Sequence, residues 1–95
     1  MEYIANSFSL QMLELQGTAT IKIEPVDSFP ASAVSFVGHA DTAAVLGVPY
    51  NRGSLTLRPG DVLYVAQLVG GRLPEGATTL PEGFSFRFFR VTLLD

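Results

Sequence analysis

Apolar and polar residues change rhythm several times along this chain, and each rhythm predicts an element. Glu2 to Ala5 is a short strand, broken by Asn6 and Ser7. In "SLQMLEL", Leu10 and Leu13, with Met12 beside them, sit at helical spacing; Ser9 is placed to cap this short helix and Gly17 to end it. "TATIKIEPV" alternates, with Ala19, Ile21 and Ile23 set against Thr20, Lys22 and Glu24, which predicts a half-buried strand stopping near Pro25. After a "DSFPAS" loop, Ala33 to Val37 is a strand rich in β-branched and aromatic residues. Gly38 and His39 follow, then the alanine-rich "ADTAAVL", a helix ending at Gly47. "SLTL", "RPGD" and "VLYVAQLV" predict a hairpin about a Pro-Gly turn, and "FSFRFFRVTLL" a final strand.

Together these elements predict an α+β fold. A mixed sheet of five or six strands carries two short helices, packed on one face of a single domain over residues 1–95. A domain of this size has a modest core and gains from oligomerisation. The apolar fraction of 47% beside only 16% charged residues points the same way, to a folded chain that also buries surface against a partner.

Charge and residue counts then narrow the chemistry. A net charge of −3 argues against a general binder of long nucleic acid, and leaves room for a small anion held by local contacts. With no cysteine there is neither a disulfide framework nor a thiolate site. One histidine and scattered carboxylates argue against structural zinc. The opening Met1-Glu2-Tyr3-Ile4 has no basic segment and no long apolar run, so no signal peptide, no membrane span and a cytoplasmic location are expected.

Three places offer candidate chemistry. His39 lies where a strand hands over to a helix, a junction whose free N–H groups welcome anions, and Gly38 lets the backbone approach a ligand closely. On the sequence pattern alone, a helix cap or a surface imidazole is the plainer reading of His39. "NSFS", Asn6 to Ser9, supplies an amide, two hydroxyls and free helix N–H groups for phosphate or ribose, or simply caps a helix. The third place is a repeat: Leu-Pro-Glu-Gly occurs at Leu73 and again at Leu80, but only the first copy follows an arginine, Arg72. Proline stiffens each copy. In the first, Arg72 is able to grip a phosphate and Glu75 to act on a proton, or the two form a solvated ion pair.

In order and spacing, "NSFSLQML", "VGHADTAAVLG" and "NRGSLTLRPGDVLYVAQLVGGRLPEG" resemble the small viral and prokaryotic ring nucleases, over nearly the whole chain. The viral members of that family act as anti-CRISPR proteins against type III CRISPR signalling. The resemblance implies a homodimer that binds cyclic tetra-adenylate across its interface and cuts it, without metal or other cofactor, to linear di-adenylate. It assigns His39, Arg72 and Glu75 to catalysis. It assigns Asn6, Ser9, Gln11, Gly38, Thr42 and Gln67 to the ligand. Some members carry asparagine where this chain has Gln11, and serine where it has Ala40 or Asp41. The second Leu-Pro-Glu-Gly does not match the arginine-bearing motif and is expected to be a turn only.

The chemistry so implied is that of RNA self-cleavage, in which a 2′-OH attacks the neighbouring phosphorus and the protein aligns, neutralises and protonates. Arg72 stabilises the phosphorane, His39 protonates the leaving 5′ oxygen, and Glu75 supports His39 or orients the nucleophile. Two other classes of function use the same residues differently: a sponge that holds a cyclic oligonucleotide without cutting it, and a structural or regulatory dimer with no nucleotide.

Overall fold

A computed structural model of the protein describes residues 1–7 and 20–94. The helix expected over "SLQMLEL", with Ser9 and Gln11, lies outside the described residues. Five strands and one helix follow in the order β1 (Glu2–Ala5), β2 (Ile21–Val26), β3 (Val34–Ser35), α1 (Ala40–Leu46), β4 (Val62–Val69) and β5 (Ser85–Leu93). The architecture is α+β, with a mixed sheet in the order β2-β5-β4-β1-β3. Strand β1 runs parallel to both β3 and β4, whereas β5 lies antiparallel between β4 and β2.

The alternation of each strand sorts its side chains onto two faces. One face packs Ile4, Tyr64 and Ala66 under Val37 and Ala43, so α1 covers it. The other gathers Ala5, Leu63, Val91 and Leu93 under Leu55 and Leu57. This second cover revises the expected hairpin. The turn itself is made: the Asp61 N–H donates to the Arg58 carbonyl at 2.9 Å, and Gly60 takes a φ of 89°. But both edges of β4 are occupied, by β1 and β5. "SLTL" therefore finds no place beside β4 and lays its two leucines across the sheet instead.

The strand expected to stop near Pro25 ends at Val26 and takes the proline into the last rungs of its ladder, as an edge strand allows. A proline is tolerated there, where its missing N–H costs no ladder bond. The same edge leaves Ile23 54% exposed, although the alternation assigns it to the buried set. Across the β2–β5 ladder the Arg90 Nε donates to Glu24 Oε1 at 2.9 Å. That bond, with the positive charge behind it, holds the Glu24 carboxyl below its usual range and raises Arg90. Among the described residues no helix is long and apolar enough to cross a membrane.

The loop from Gly70 to Phe84 joins β4 to β5, and its closure depends on one glycine. Gly70 has a φ of 119°, and a Cβ placed on it would stand 2.8 Å from the Gly83 carbonyl oxygen and 3.0 Å from the Phe84 Cα. Only a residue without a side chain allows the two ends of the loop to meet so closely. Both copies of Leu-Pro-Glu-Gly lie within it, and they form the same turn. The Ala77 N–H donates to the Pro74 carbonyl at 3.1 Å, and the Phe84 N–H to the Pro81 carbonyl at 3.1 Å. The glycines in the third position, Gly76 and Gly83, have φ of 78° and 85°.

Candidate active site

The site forms where α1 begins. Its cap, His39, has extended backbone (φ −122°, ψ 119°), and its side chain makes no capping hydrogen bond. The helix ends on Gly47 at a φ of 73°, whose turn returns the Val48 N–H to the Ala43 carbonyl at 3.0 Å. With the imidazole free of the cap, Nδ1 lies 3.4 Å from Thr42 Oγ1, one helical turn on. Thr42 is 7% exposed. A buried hydroxyl at that distance orients the ring weakly and leaves Nε2 as the nitrogen without a partner among the described residues.

Asn6, at the end of β1, is tied to the same junction. Its Oδ1 accepts the Gly38 N–H at 3.2 Å, across 32 residues of sequence. Its amide nitrogen is left as a donor. Gly38 itself packs toward protein: a Cβ there would stand 3.7 Å from the Asn51 carbonyl oxygen and 3.7 Å from the Arg52 Cα. It therefore contributes a backbone anchor and does not line the cleft.

The first Leu-Pro-Glu-Gly reaches this junction from the far end of the sequence. Asp41 Oδ1 accepts the Gly76 N–H at 3.2 Å, which fastens the loop to the first turn of α1. A cleft of about 520 Å³ results, lined among others by Asn6, His39, Thr42, Arg72 and Glu75 and floored by Ala66 and Leu68 of β4. Pockets of this size hold small molecules and cofactors. His39, Arg72 and Glu75 are all exposed, so their polar groups are available to a ligand. No ion pair joins Glu75 to His39; Thr42 is what touches the imidazole. Among the described residues no group of three His, Asp or Glu side chains stands together as a metal would require.

Five of the nine residues singled out in the sequence thus line one cleft, and Gly38 anchors it. Gln67 does not join them. Ala66 and Leu68 face the cleft, so the side chain between them faces the other way, where Gln67 pairs in register with Arg87. The parity of "AQL" within a strand was the signal. Ser9 and Gln11 lie outside the described residues. The residue passed over is Asp41, whose place in the first turn of a helix gave no hint of a bond to a loop 35 residues away. No residue of the second Leu-Pro-Glu-Gly lines the cleft.

Among the described residues, a five-stranded mixed sheet with parallel β1 inside, one short helix and a cleft at the helix start define a small α+β class. The STIV B116-like family model matches residues 2–85, and the chain belongs to that family. B116 of Sulfolobus turreted icosahedral virus shares the fold: the two superpose with a TM-score of 0.74 at 21% identity, over 95% of this chain and 97% of the other. No curated protein matches the chain.

Proposed function

We propose that this protein is a ring nuclease that opens cyclic tetra-adenylate without metal and so switches off type III CRISPR signalling. The observation that carries the reading is the convergence of His39, Arg72 and Glu75, from two distant parts of the chain, on one cleft with Asn6 and Thr42. An imidazole, a guanidinium and a carboxylate are the groups that cleavage by an internal hydroxyl requires.

The step balances without a co-reactant. The ribose 2′-oxygen forms a bond to phosphorus, the bond from phosphorus to the 5′-oxygen breaks, and a 2′,3′-cyclic phosphate remains. Glu75, free of His39, takes its place beside the attacking hydroxyl and draws its proton. Arg72 lies against the equatorial oxygens, whose charge it offsets as the phosphorane forms. His39 gives its proton to the departing 5′-oxygen, with Thr42 holding the ring on the opposite nitrogen. Asn6, fixed through Gly38, offers its amide to ribose or adenine. In a two-fold homodimer each catalytic group occurs twice and matches a ring of four phosphates, so two cuts give linear di-adenylate.

Incubation with cyclic tri-, tetra- and hexa-adenylate in EDTA, with products separated by chromatography, tests the reading. Linear di-adenylate ending in a cyclic phosphate is expected from the tetramer. Retention of intact ring on the protein identifies a sponge, no binding identifies a structural dimer, and cleavage only after magnesium or manganese is added overturns the mechanism.

A further inference from the structure

The repeated tetrapeptide provides an internal comparison. Both copies make one turn with one hydrogen-bond pattern, and in both the N–H of the third-position glycine takes no part in the turn's own bond. In the second copy that N–H meets no carboxylate among the described residues. In the first it is bound, by Asp41 Oδ1 at 3.2 Å. The two ends of this bond belong to the two halves of the cleft. Asp41 is two residues from His39 in the first turn of α1, while Gly76 adjoins Glu75 and closes the turn that follows Arg72.

Elsewhere the loop is held at its base, where Gly70 meets Gly83 and Phe84. Beyond that base Arg72 and Glu75 are exposed, and among the described residues their side chains find no hydrogen-bond partner. Asp41 is also a second carboxylate in a cleft read as binding a polyanion, where charge alone argues against it. A bond that outweighs that repulsion is a reason for its presence.

We infer that Asp41 is a positioning residue: by holding the Gly76 N–H it sets Arg72 and Glu75 at working distance from His39. The inference rests on the proposed ring-nuclease reading for its catalytic consequence, and on the Asp41–Gly76 bond alone for its structural one. Asparagine keeps an acceptor oxygen at the same reach and drops the charge; alanine drops both; serine stays polar but is too short to span the gap.

Amide hydrogen exchange at Gly76 and single-turnover cleavage of cyclic tetra-adenylate are measured on the full chain and on Asp41→Ala, Asp41→Asn and Asp41→Ser. Gly76 should exchange at least about tenfold faster in the alanine and serine variants and near the parental rate in the asparagine variant. The maximal cleavage rate should fall about tenfold or more with alanine and serine, with a smaller change in KM, and return to within about threefold with asparagine. The serine variant answers the question if the alanine variant does not fold. Equal Gly76 exchange in parent and alanine variants overturns the inference, and so does parental cleavage by a variant whose Gly76 is released. Asparagine as slow as alanine overturns it as well, since charge would then matter and the acceptor would not. If the parent cuts no ring, the ring-nuclease reading fails, and the exchange measurement alone decides whether Asp41 holds the loop.

Discussion

Glu75 and Glu82 are a matched pair supplied by the chain itself. Each occupies the second position of a Pro-Glu-Gly turn closed by a hydrogen bond of 3.1 Å, with glycine φ of 78° and 85° in the next position. Each is exposed, so truncation to alanine removes no core contact and either variant should melt near the parent, within about 0.5 kcal/mol. They differ in that Glu75 lines the cleft and Glu82 does not. A charge-assisted hydrogen bond to the reacting hydroxyl is worth about 1.5–3 kcal/mol. At about 1.4 kcal/mol per tenfold, Glu75→Ala should slow cleavage by at least roughly tenfold. Glu82→Ala should stay within about twofold, since a solvated carboxylate contributes little. The assay is single-turnover conversion of cyclic tetra-adenylate with protein in excess, sampled over time and resolved by chromatography. Equal losses from the two variants would mean that the loop acts as a scaffold and that the Glu75 carboxylate has no part in the chemistry. A loss from Glu82→Ala alone would place the site at the other copy.

His39→Ala should lose about a hundredfold to ten-thousandfold in cleavage while retaining ring binding, measured by equilibrium titration, because a general acid serves the transition state. Parental cleavage by that variant would remove His39 from the mechanism. Gly70→Ala should destabilise the protein by about 1–3 kcal/mol in urea unfolding, since its Cβ meets the Gly83 backbone at a left-handed φ. Gly38→Ala, whose Cβ has ordinary contact distances, should stay within about 0.5 kcal/mol. Arg90 lowers the Glu24 carboxyl, so their pairing stabilises the fold above the ordinary carboxylate range, and the benefit fades as pH falls through the lowered value. Glu24→Gln should therefore melt below the parent at pH 7 and converge on it in acid; a gap that is constant with pH would refute the pairing.

What could be read from the chain, and what could not, divides by range. The strand at Glu2–Ala5 and the helix "ADTAAVL" with its glycine stop are local propensities, and both form over those residues. The convergence of "GH" with "RLPEG" was expected only through the family resemblance, because nothing local links positions so far apart. Strand neighbours were equally hidden. "RPGD" specifies a turn, but whether the segment before it joins the sheet depends on who already occupies the edges of β4. The face of Gln67 was legible from alternation alone. Asp41 was not, because its partner is a backbone N–H, and a backbone N–H leaves no mark on residue identity.

The interior place of β1, between β4 and β3, has a consequence for how the protein is made. Glu2 and Tyr3 pair with Val62 and Leu63, so β1 waits for about 60 further residues, or about 3–12 s at ordinary elongation rates, before its β4 partner exists. Its other neighbour, β3, is only two residues long and gives it little to hold meanwhile. Strands β4 and β5 need no such delay, since they are joined directly and pair antiparallel along eight residues of β4. The parallel pairing of β1 is thus completed only by a strand made long after it, whereas the β4–β5 ladder joins neighbours in synthesis as well as in space.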